Sequence, residues 1–195
     1  MHFQSTMAPI ILASGSPRRK ELLGLMGVLF EVVSLDTDES CNGSPSERVC
    51  SLALRKAEEV YKLYRDRLIL AADTLVARDG QVLGKPSSFD EAVSMLLSLS
   101  DGWHEVYTGV CLLDGSGGRK SVAYDRTQVR FSYLDEQMAA AYVKTGEPMD
   151  KAGAYAIQGR GGMFVEEIRG SASNVIGLPM ALVRKMLQDF HFSVI

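Results

Sequence analysis

The stretch RLILAADTLVARDGQVLGKP, residues 67–86, decides the fold. Its apolar run Leu68–Ala72 is too short for an ordinary helix and is typical of a buried strand in an α/β sheet. We expect Asp73 where this strand ends, because open α/β sheets bind ligands in the crevice at strand ends. An Asp-Gly turn at 79–80 predicts a hairpin that returns Lys85 toward Asp73. This pairing indicates phosphate or metal chemistry, or else two solvated charges on a surface turn.

Composition bounds the class of protein. With 195 residues, 46% of them hydrophobic and 23% charged, the chain fits one ordinary globular domain, which we place at residues 8–195 after a dispensable lead at 1–7. The net charge of −3 gives no basic surface for nucleic acid. No apolar run approaches the roughly 20 residues that span a bilayer. We therefore expect neither a nucleic-acid partner nor a membrane partner.

The cysteines and histidines limit location and metal chemistry. Cys41, Cys50 and Cys111 are odd in number and have no C-x-x-C spacing. This pattern indicates reduced thiols in a cytoplasmic protein and argues against zinc. The three histidines are too scattered for a metal cluster, so any metal should be a hard cation held by oxygen ligands.

An anion site is predicted near the beginning of the chain. A strand at 10–13 leads into a Ser-Gly-Ser-Pro loop, with Ser16 as N-cap and Pro17 in the first helical position. Arg18 and Arg19 then lie at the positive end of the helix dipole, which disfavours cations. A bound anion would remove that penalty, although both arginines could instead point to solvent. The loop is not a Walker sequence.

An acidic stretch follows the second predicted strand, at 30–34. Asp36, Asp38 and Glu39 repel one another unless a cation or water relieves them. The stretch is either a solvated loop or one side of a cation site.

The second helix carries a lysine on its apolar face. Ser44 and Glu47 have capping-box spacing, and seven apolar residues follow at helical period: Val49, Leu52, Ala53, Ala57, Val60, Tyr61 and Tyr64. Lys56 falls near the middle of that stripe. A lysine there must extend to solvent, pair with an acid or meet an anion.

The remaining pattern predicts further elements. We expect a third helix capped at Ser88, a fourth helix at 135–145, a last helix that begins at 178–179, and strands at 104–113, 122–131 and 164–168. The Gly-rich segment 146–162 has no clear period and is long for a connection, which indicates a functional loop. Residues 170–177 are predicted as a second loop.

Several stretches together resemble the Maf family of nucleotide pyrophosphatases. They occur in the family's order along nearly the whole chain: ASGSPRRKELL (13–23), DES (38–40), LALRKA (52–57), AADTLV (71–76), GKP (84–86), HEVYTGV (104–110), GEPMDKAGAYAIQG (146–159) and GSASNVIGLP (170–179). The resemblance implies an elongated α/β fold, with a mixed, twisted central sheet, flanking helices and a deep cleft between two lobes, similar to inosine triphosphate pyrophosphatases. It also implies hydrolysis of nucleoside triphosphates to monophosphate and pyrophosphate with Mg²⁺, Mn²⁺ or Co²⁺, and a homodimer.

The resemblance also assigns roles to residues. Asp73 matches the family's catalytic acid–base position, with Lys56 and Lys85 beside it in the reaction. Ser14, Arg19 and Glu39 match positions that line the phosphate and metal site, and Glu39 and Asp73 are the expected metal ligands. Asp36 and Asp38 lie so close to Glu39 that either could take its place.

Three positions indicate the subgroup that acts on dTTP and UTP, with CTP or modified pyrimidine nucleotides as further candidates. They are Arg18, Thr74 and Gln158. A glutamine amide offers both a donor and an acceptor, which suits the O4 and N3–H edge of uracil or thymine.

Other classes of protein remain alternatives. A nucleotide sensor would bind triphosphates without cleaving them, yet it would not need Asp73. A cell-division regulator would call for an exposed apolar patch or a disordered tail, and neither is visible in the sequence. A serine hydrolase is disfavoured because no G-x-S-x-G motif occurs.

Overall fold

Seven strands form one mixed sheet in the computed structural model, which describes residues 8–194. The strand order is β2-β1-β3-β5-β6-β7, and β4 pairs with β3 outside this path. β1 is parallel to β2 and β3, whereas the other pairs are antiparallel. The strands are β1 (Ile10–Leu12), β2 (Phe30–Val32), β3 (Leu68–Arg78), β4 (Gln81–Leu83), β5 (Trp103–Asp114), β6 (Lys120–Phe131) and β7 (Val165–Arg169). The predicted lead at 1–7 lies outside the described residues.

Helices flank this sheet, and the first three begin at the predicted N-cap residues Ser16, Ser44 and Ser88. They are α1 (Pro17–Leu25), α2 (Pro45–Tyr61), α3 (Phe89–Leu99), α4 (Glu136–Val143), α5 (Ala172–Ile176) and α6 (Met180–Asp189). Ser44 and Glu47 form the expected capping box, and the side chains of Ser88 and Asp135 cap α3 and α4. Ser16 holds the N-cap position of α1, but its side chain makes no capping hydrogen bond. None of the helices within 8–194 has the length and apolar character needed to cross a membrane.

Alternation along β3 assigns its side chains to two cores. Ile69 and Ala71 pack with the apolar face of α2, whereas Leu70 and Ala72 pack on the opposite face with α1 and α6. A further core lies along the sheet, where α3 and α4 cover Val106 and the 3₁₀ turns described below. The helices therefore cover both faces of the sheet. Along β3 the cores form two groups: the two cores at residues 69–72 lie on opposite faces at one end, and the core around Val76 and Val106 lies farther along the sheet.

Asp73 does not mark the end of its strand, so that prediction was wrong. β3 continues through Asp73 to Arg78 because β5 pairs with it from Leu68 to Ala77. The other edge of β3 is only partly paired: β1 pairs with it as far as Leu70, and pairing with β4 starts at Val76 of β3. Asp73 therefore lies in mid-strand, opposite a gap between β1 and β4. The crevice is created by the end of β1.

Two segments predicted as loops contain regular structure. Residues 170–177 include α5, which begins after Ser171, whose hydroxyl accepts from the Asn174 N–H. The segment 146–162 folds into 3₁₀ turns at Glu147–Asp150 and Ala152–Ala154, and a third spans Arg160–Phe164. The absence of a helical or strand period was a correct observation, since 3₁₀ turns are short and alternate with extended residues.

Candidate active site

A cavity of about 1170 Å³ opens at the gap beside β3, between the two groups of core residues. All nine side chains that the sequence singles out line it: Ser14, Arg18, Arg19, Glu39, Lys56, Asp73, Thr74, Lys85 and Gln158. Among the three alternative acids, Asp36 and Glu39 line the cavity. Asp38 is exposed and accepts hydrogen bonds from Ser40, and these lower the pKa of Asp38.

Lys56 joins two carboxylates at the centre of the cavity. Its Nζ donates to Asp73 Oδ1 at 2.6 Å and to Glu39 Oε1 at 2.9 Å. The side chains of Lys56 and Asp73 are only 17% and 13% exposed. The hydrogen bond from Lys56 is the main reason that the pKa of Glu39 is lowered. Of the three options for this lysine, the structure selects pairing with acids, and Glu39, although half-exposed in a loop, is one of the two acids that it contacts.

The close contact of α2 with the sheet places Lys56 over Asp73. Asp73 pairs with Gly109 of β5, so both residues face α2. A Cβ on Gly109 would lie 2.3 Å from the backbone oxygen of Val49 in α2. Only glycine allows this approach, because real Cβ atoms do not come so near a backbone atom.

Arg19 lies on the other face of β3 and is anchored within the protein. Its Nε donates to the Gly177 carbonyl at 2.8 Å, Nη1 to Ser14 Oγ at 3.1 Å and Nη2 to Thr74 Oγ1 at 2.9 Å. Burial lowers the pKa of Arg19, and the Asp73 charge opposes this effect. The three acceptors are a carbonyl and two hydroxyl groups, which are neutral. These contacts therefore leave the positive charge of Arg19 uncompensated at the cavity wall. The alternative that Arg19 points to solvent is wrong.

A buried polar chain fixes Thr74, and the sequence did not reveal it. Thr74 Oγ1 lies 2.9 Å from Thr108 Oγ1, and Thr108 donates to the Asn174 carbonyl at 3.0 Å. Asn174 Nδ2 in turn donates to the Val106 carbonyl and to Thr127 Oγ1. The sequence does contain the polar residues of this chain, Thr108 in YTGV and Asn174 in GSASN. Their hydrogen-bond partners, however, lie 34 to 68 positions away, so local spacing could not identify them.

The cavity also contains cations without acidic partners. Across residues 8–194, Arg18, Arg48 and Lys85 form no ion pair, whereas Lys56 and Lys151 do. The Nε atoms of Arg18 and Arg48 are buried without a hydrogen-bond partner in this part of the chain. Arg48, in the first turns of α2, was missed at the sequence level because it resembles an ordinary surface charge. These cations suit a ligand with several negative charges.

The segment 146–162 forms the far wall. Gln158 is exposed to the cavity, and Lys85 is held nearby because the Gly153 N–H donates to the Gly84 carbonyl at 3.0 Å. His104, which had no partner evident from the sequence, lies 2.8 Å from the buried Tyr155 hydroxyl. The predicted functional loop thus lines the same cavity as Asp73.

The comparison with family models agrees with this geometry. Residues 9–190 match the model described as Maf-like protein. The chain belongs to the Maf family.

Three relatives of this Maf chain are each named dTTP/UTP pyrophosphatase. It is 44% identical over 191 residues to the dTTP/UTP pyrophosphatase of Pelotomaculum thermopropionicum, covering 97% of this chain and 100% of that protein. It is 46% identical to the protein of the same name from Caldicellulosiruptor bescii and 48% identical to one from Bacillus cereus, each over 96% of this chain and 98% of the relative.

The donor set of this Maf chain suits a hard cation. Within 8–194, no group of three or more His, Cys, Asp or Glu side chains could hold a metal by itself. Two carboxylates, Glu39 and Asp73, do converge in the cavity. Mg²⁺ is commonly held by one or two carboxylates together with substrate phosphates and water, so these residues fit such an ion.

Proposed function

We propose that this chain is a metal-dependent nucleoside triphosphate pyrophosphatase that acts on dTTP and UTP. Water would attack the α-phosphorus and the bond to the β-phosphate oxygen would break, giving a monophosphate and pyrophosphate. The observation that carries the proposal is the Glu39–Lys56–Asp73 cluster beside unpaired cations in one cavity. The names of the relatives, at 44% identity over 191 residues for one of them, support the choice of substrate.

The triphosphate would lie along the Ser14–Arg19 loop. Arg19, already held by Ser14 and Thr74, needs no rearrangement to present its charge, which favours binding through preorganisation. Arg18 and Lys85 have no acidic partners among the described residues and would contact further phosphate oxygens. The negative charge of the substrate would satisfy these groups.

Glu39 and Asp73 would hold the divalent cation, Mg²⁺, Mn²⁺ or Co²⁺. When bound, such an ion offsets the charge that develops on phosphate oxygens during transfer. Lys56 keeps both carboxylates directed into the cavity through its two hydrogen bonds.

Asp73 would either accept the proton of the attacking water or serve mainly as a ligand of the cation. Its Oδ1 accepts from Lys56, while Oδ2 has no hydrogen-bond partner within 8–194, so Oδ2 is the oxygen left for either role. A positioned carboxylate that takes a proton in the transition state contributes about 10²–10⁴ in rate.

Recognition of the base would fall to Arg18, Thr74 and Gln158. Gln158 is exposed on the cavity wall, where its amide could pair with a pyrimidine edge. The Thr74 hydroxyl contacts Arg19 and Thr108, so its contribution would pass through Arg19.

The test is pyrophosphate release from a panel of triphosphates, measured with Mg²⁺, Mn²⁺ or Co²⁺ and then with EDTA. We expect metal-dependent release that favours dTTP and UTP, with CTP and modified pyrimidine nucleotides as further substrates to compare. Release of orthophosphate would contradict the bond assignment, and a preference for purines would contradict the subgroup. Tight nucleotide binding without hydrolysis would favour the sensor alternative, and absence of both would favour the cell-division regulator.

The resemblance predicts a homodimer, the cysteine pattern predicts a cytoplasmic location, and the net charge of −3 predicts no nucleic-acid partner. These stay predictions; the molar mass in solution tests the first of them.

A further inference from the structure

Glu147 receives three hydrogen bonds within the segment that carries Gln158. Its Oε1 accepts from the Tyr142 hydroxyl at 2.7 Å and from the Gly161 N–H at 3.1 Å. Its Oε2 accepts from the Arg160 N–H at 3.0 Å. Although partial burial opposes it, these donors lower the pKa of Glu147, so the carboxylate is charged at neutral pH. The charged carboxylate therefore holds the backbone of residues 160 and 161, which follow Gln158 in the chain.

The N-terminal side of Gln158 is anchored by related contacts. The Tyr142 hydroxyl, besides donating to Glu147, accepts from the Ala156 N–H at 3.2 Å. Tyr155 is buried and its hydroxyl lies 2.8 Å from His104 Nε2. Residues 155–156 and 160–161 are thus both tied down, and the intervening residues 157–159, which line the cavity together with Tyr155 and Ala156, are held between two fixed points.

Gly159 provides an independent sign that Glu147 determines the path of this segment. Its backbone, at φ −118° and ψ −153°, is extended and open to any residue. A Cβ there would nevertheless lie 2.4 Å from Glu147 Oε1 and 2.5 Å from Cδ. The Glu147 side chain, and not the backbone conformation, is what excludes a side chain next to Gln158.

We propose that Glu147 is a positioning residue that fixes Gln158 for recognition of the base. This inference rests on the proposed function, because it assumes that Gln158 meets the base. Glu147 itself touches no reacting atom. It would act by limiting the conformations of 157–159, so that the amide of Gln158 is preorganised for one edge of the nucleotide.

The first experiment compares Glu147→Gln with the wild type. Glutamine keeps the shape but removes the charge and replaces one acceptor oxygen with an NH₂ group that would face an N–H donor. We expect KM for dTTP and UTP to rise roughly tenfold or more, the change that loss of a charged hydrogen bond produces, while kcat stays within about threefold. The preference for dTTP over dGTP should fall as well.

Two further variants keep the test decisive. Tyr142→Phe removes the hydroxyl that joins Glu147 to Ala156 and should change KM and base preference in the same direction. Glu136→Gln, on the exposed side of α4, changes the same charge without these contacts and should match the wild type. A purely structural role for Glu147 would lower the melting temperature and leave KM and the dTTP/dGTP preference unchanged, which would overturn the proposal.

A double-mutant cycle tests the contact with Gly159 directly. Gly159→Ala should raise KM in the wild-type background, where the methyl group meets Glu147. In a Glu147→Ala background the same change should add little, because the clash has been removed. Additive effects would contradict the proposed coupling. If the Glu147 variants prove unable to fold, Tyr142→Phe and Gly159→Ala in the wild-type background still report, and unchanged KM and base preference in both would overturn the proposal.

The wild type and the variants answer separate questions. A wild-type protein that releases no pyrophosphate fails the proposed function. In that case, dissociation constants for dTTP and dGTP are measured for the wild type and for Glu147→Gln. A changed ratio of the two constants supports the inference about Glu147, and an unchanged ratio overturns it.

Discussion

Lys56 Nζ lies 2.6 Å from Asp73 Oδ1, although the two residues come from different elements 17 positions apart. Lys56 extends from the middle of the apolar face of α2, and Asp73 lies in the middle of β3 beside the gap between β1 and β4. Both side chains are largely shielded from water. Removing one partner of such a pair leaves an uncompensated charge, so either substitution should have a large effect.

Replacement of Asp73 by Asn should abolish most turnover. The amide keeps the shape of the side chain but cannot accept a proton from water, so we expect kcat to fall by about 100-fold or more. Thermal unfolding should show an intact fold. Asp79→Asn, the same change on a 92% exposed side chain, is the matched control and should keep full activity. A folded, fully active Asp73→Asn protein would remove Asp73 from catalysis.

Replacement of Lys56 by Met should leave Asp73 and Glu39 without their shared cation. Because the two carboxylates would then be free to reorient and repel, we expect kcat/KM to fall by about 100-fold, as for loss of other preorganised electrostatic groups. Lys62→Met is the control, since within residues 8–194 Lys62 pairs with Glu59 alone, at the exposed end of α2. Steady-state kinetics with dTTP measures both, and equal losses would indicate a general effect on the helix.

Thr74→Val should weaken substrate binding by releasing Arg19. The change removes the hydroxyl that accepts from Arg19 and contacts Thr108. We expect KM for triphosphates to rise by roughly tenfold, the scale of one hydrogen bond to a charged group. Thr74→Ser retains the hydroxyl and should restore most of the binding. Normal binding by the valine variant, with weakened binding by the serine variant, would show that the methyl group of Thr74 matters and the hydroxyl does not.

Gln158→Ala should change the choice of base with little effect on the chemical step. The side chain is exposed in the cavity, so its removal costs no packing. We expect the ratio of kcat/KM for dTTP against dGTP to fall, while kcat for dTTP changes by less than about threefold. An unaltered profile across the four bases would remove Gln158 from the specificity role.

Acid should destabilise the protein through His104 at pH values where carboxylates are still charged. Burial, with a smaller contribution from the Arg78 charge, lowers the pKa of His104 to about 3. The unfolded chain, with an ordinary histidine pKa of about 6.5, takes up a proton as the pH falls below that value and the folded chain does not. Between pH 7.5 and 5, the free energy of unfolding should therefore decrease by about 2 kcal/mol from this group.

Urea unfolding at the two pH values measures this loss. His104→Gln can still reach the Tyr155 hydroxyl but does not titrate, so its stability should change less over the same interval. The same pH dependence in both proteins would assign the loss to other groups.

Much of the local structure could be predicted from sequence. The capping box at Ser44 and the apolar stripe of α2 depend on residues three or four positions apart, and both were confirmed. The same stripe identified Lys56 as a lysine on a buried face that needed a partner. Short-range spacing is sufficient here because helix geometry relates near neighbours directly.

The predictions that failed concern elements stabilised by distant residues. β3 was expected to end at Asp73 because a carboxylate follows an apolar run, but pairing with β5 extends the strand to Arg78. α5 was not predicted, since small polar residues have low helix propensity; its residue Asn174 bonds to Val106 and Thr127 across the sheet. Tertiary hydrogen bonds outweighed local preference in both cases.

The sequence by itself determined the residue types of the site, the helix that carries Lys56 and the family. Only the tertiary structure decided that Asp73 and Thr74, adjacent in β3, face opposite sides of the sheet, so that one meets Lys56 and the other meets Arg19. It also decided that Glu147 supports the segment around Gln158. The physical reason is that these contacts join residues whose separation in the chain has no fixed period. Strand pairing and core packing bring them together, and neither is encoded in the local spacing of the residues involved.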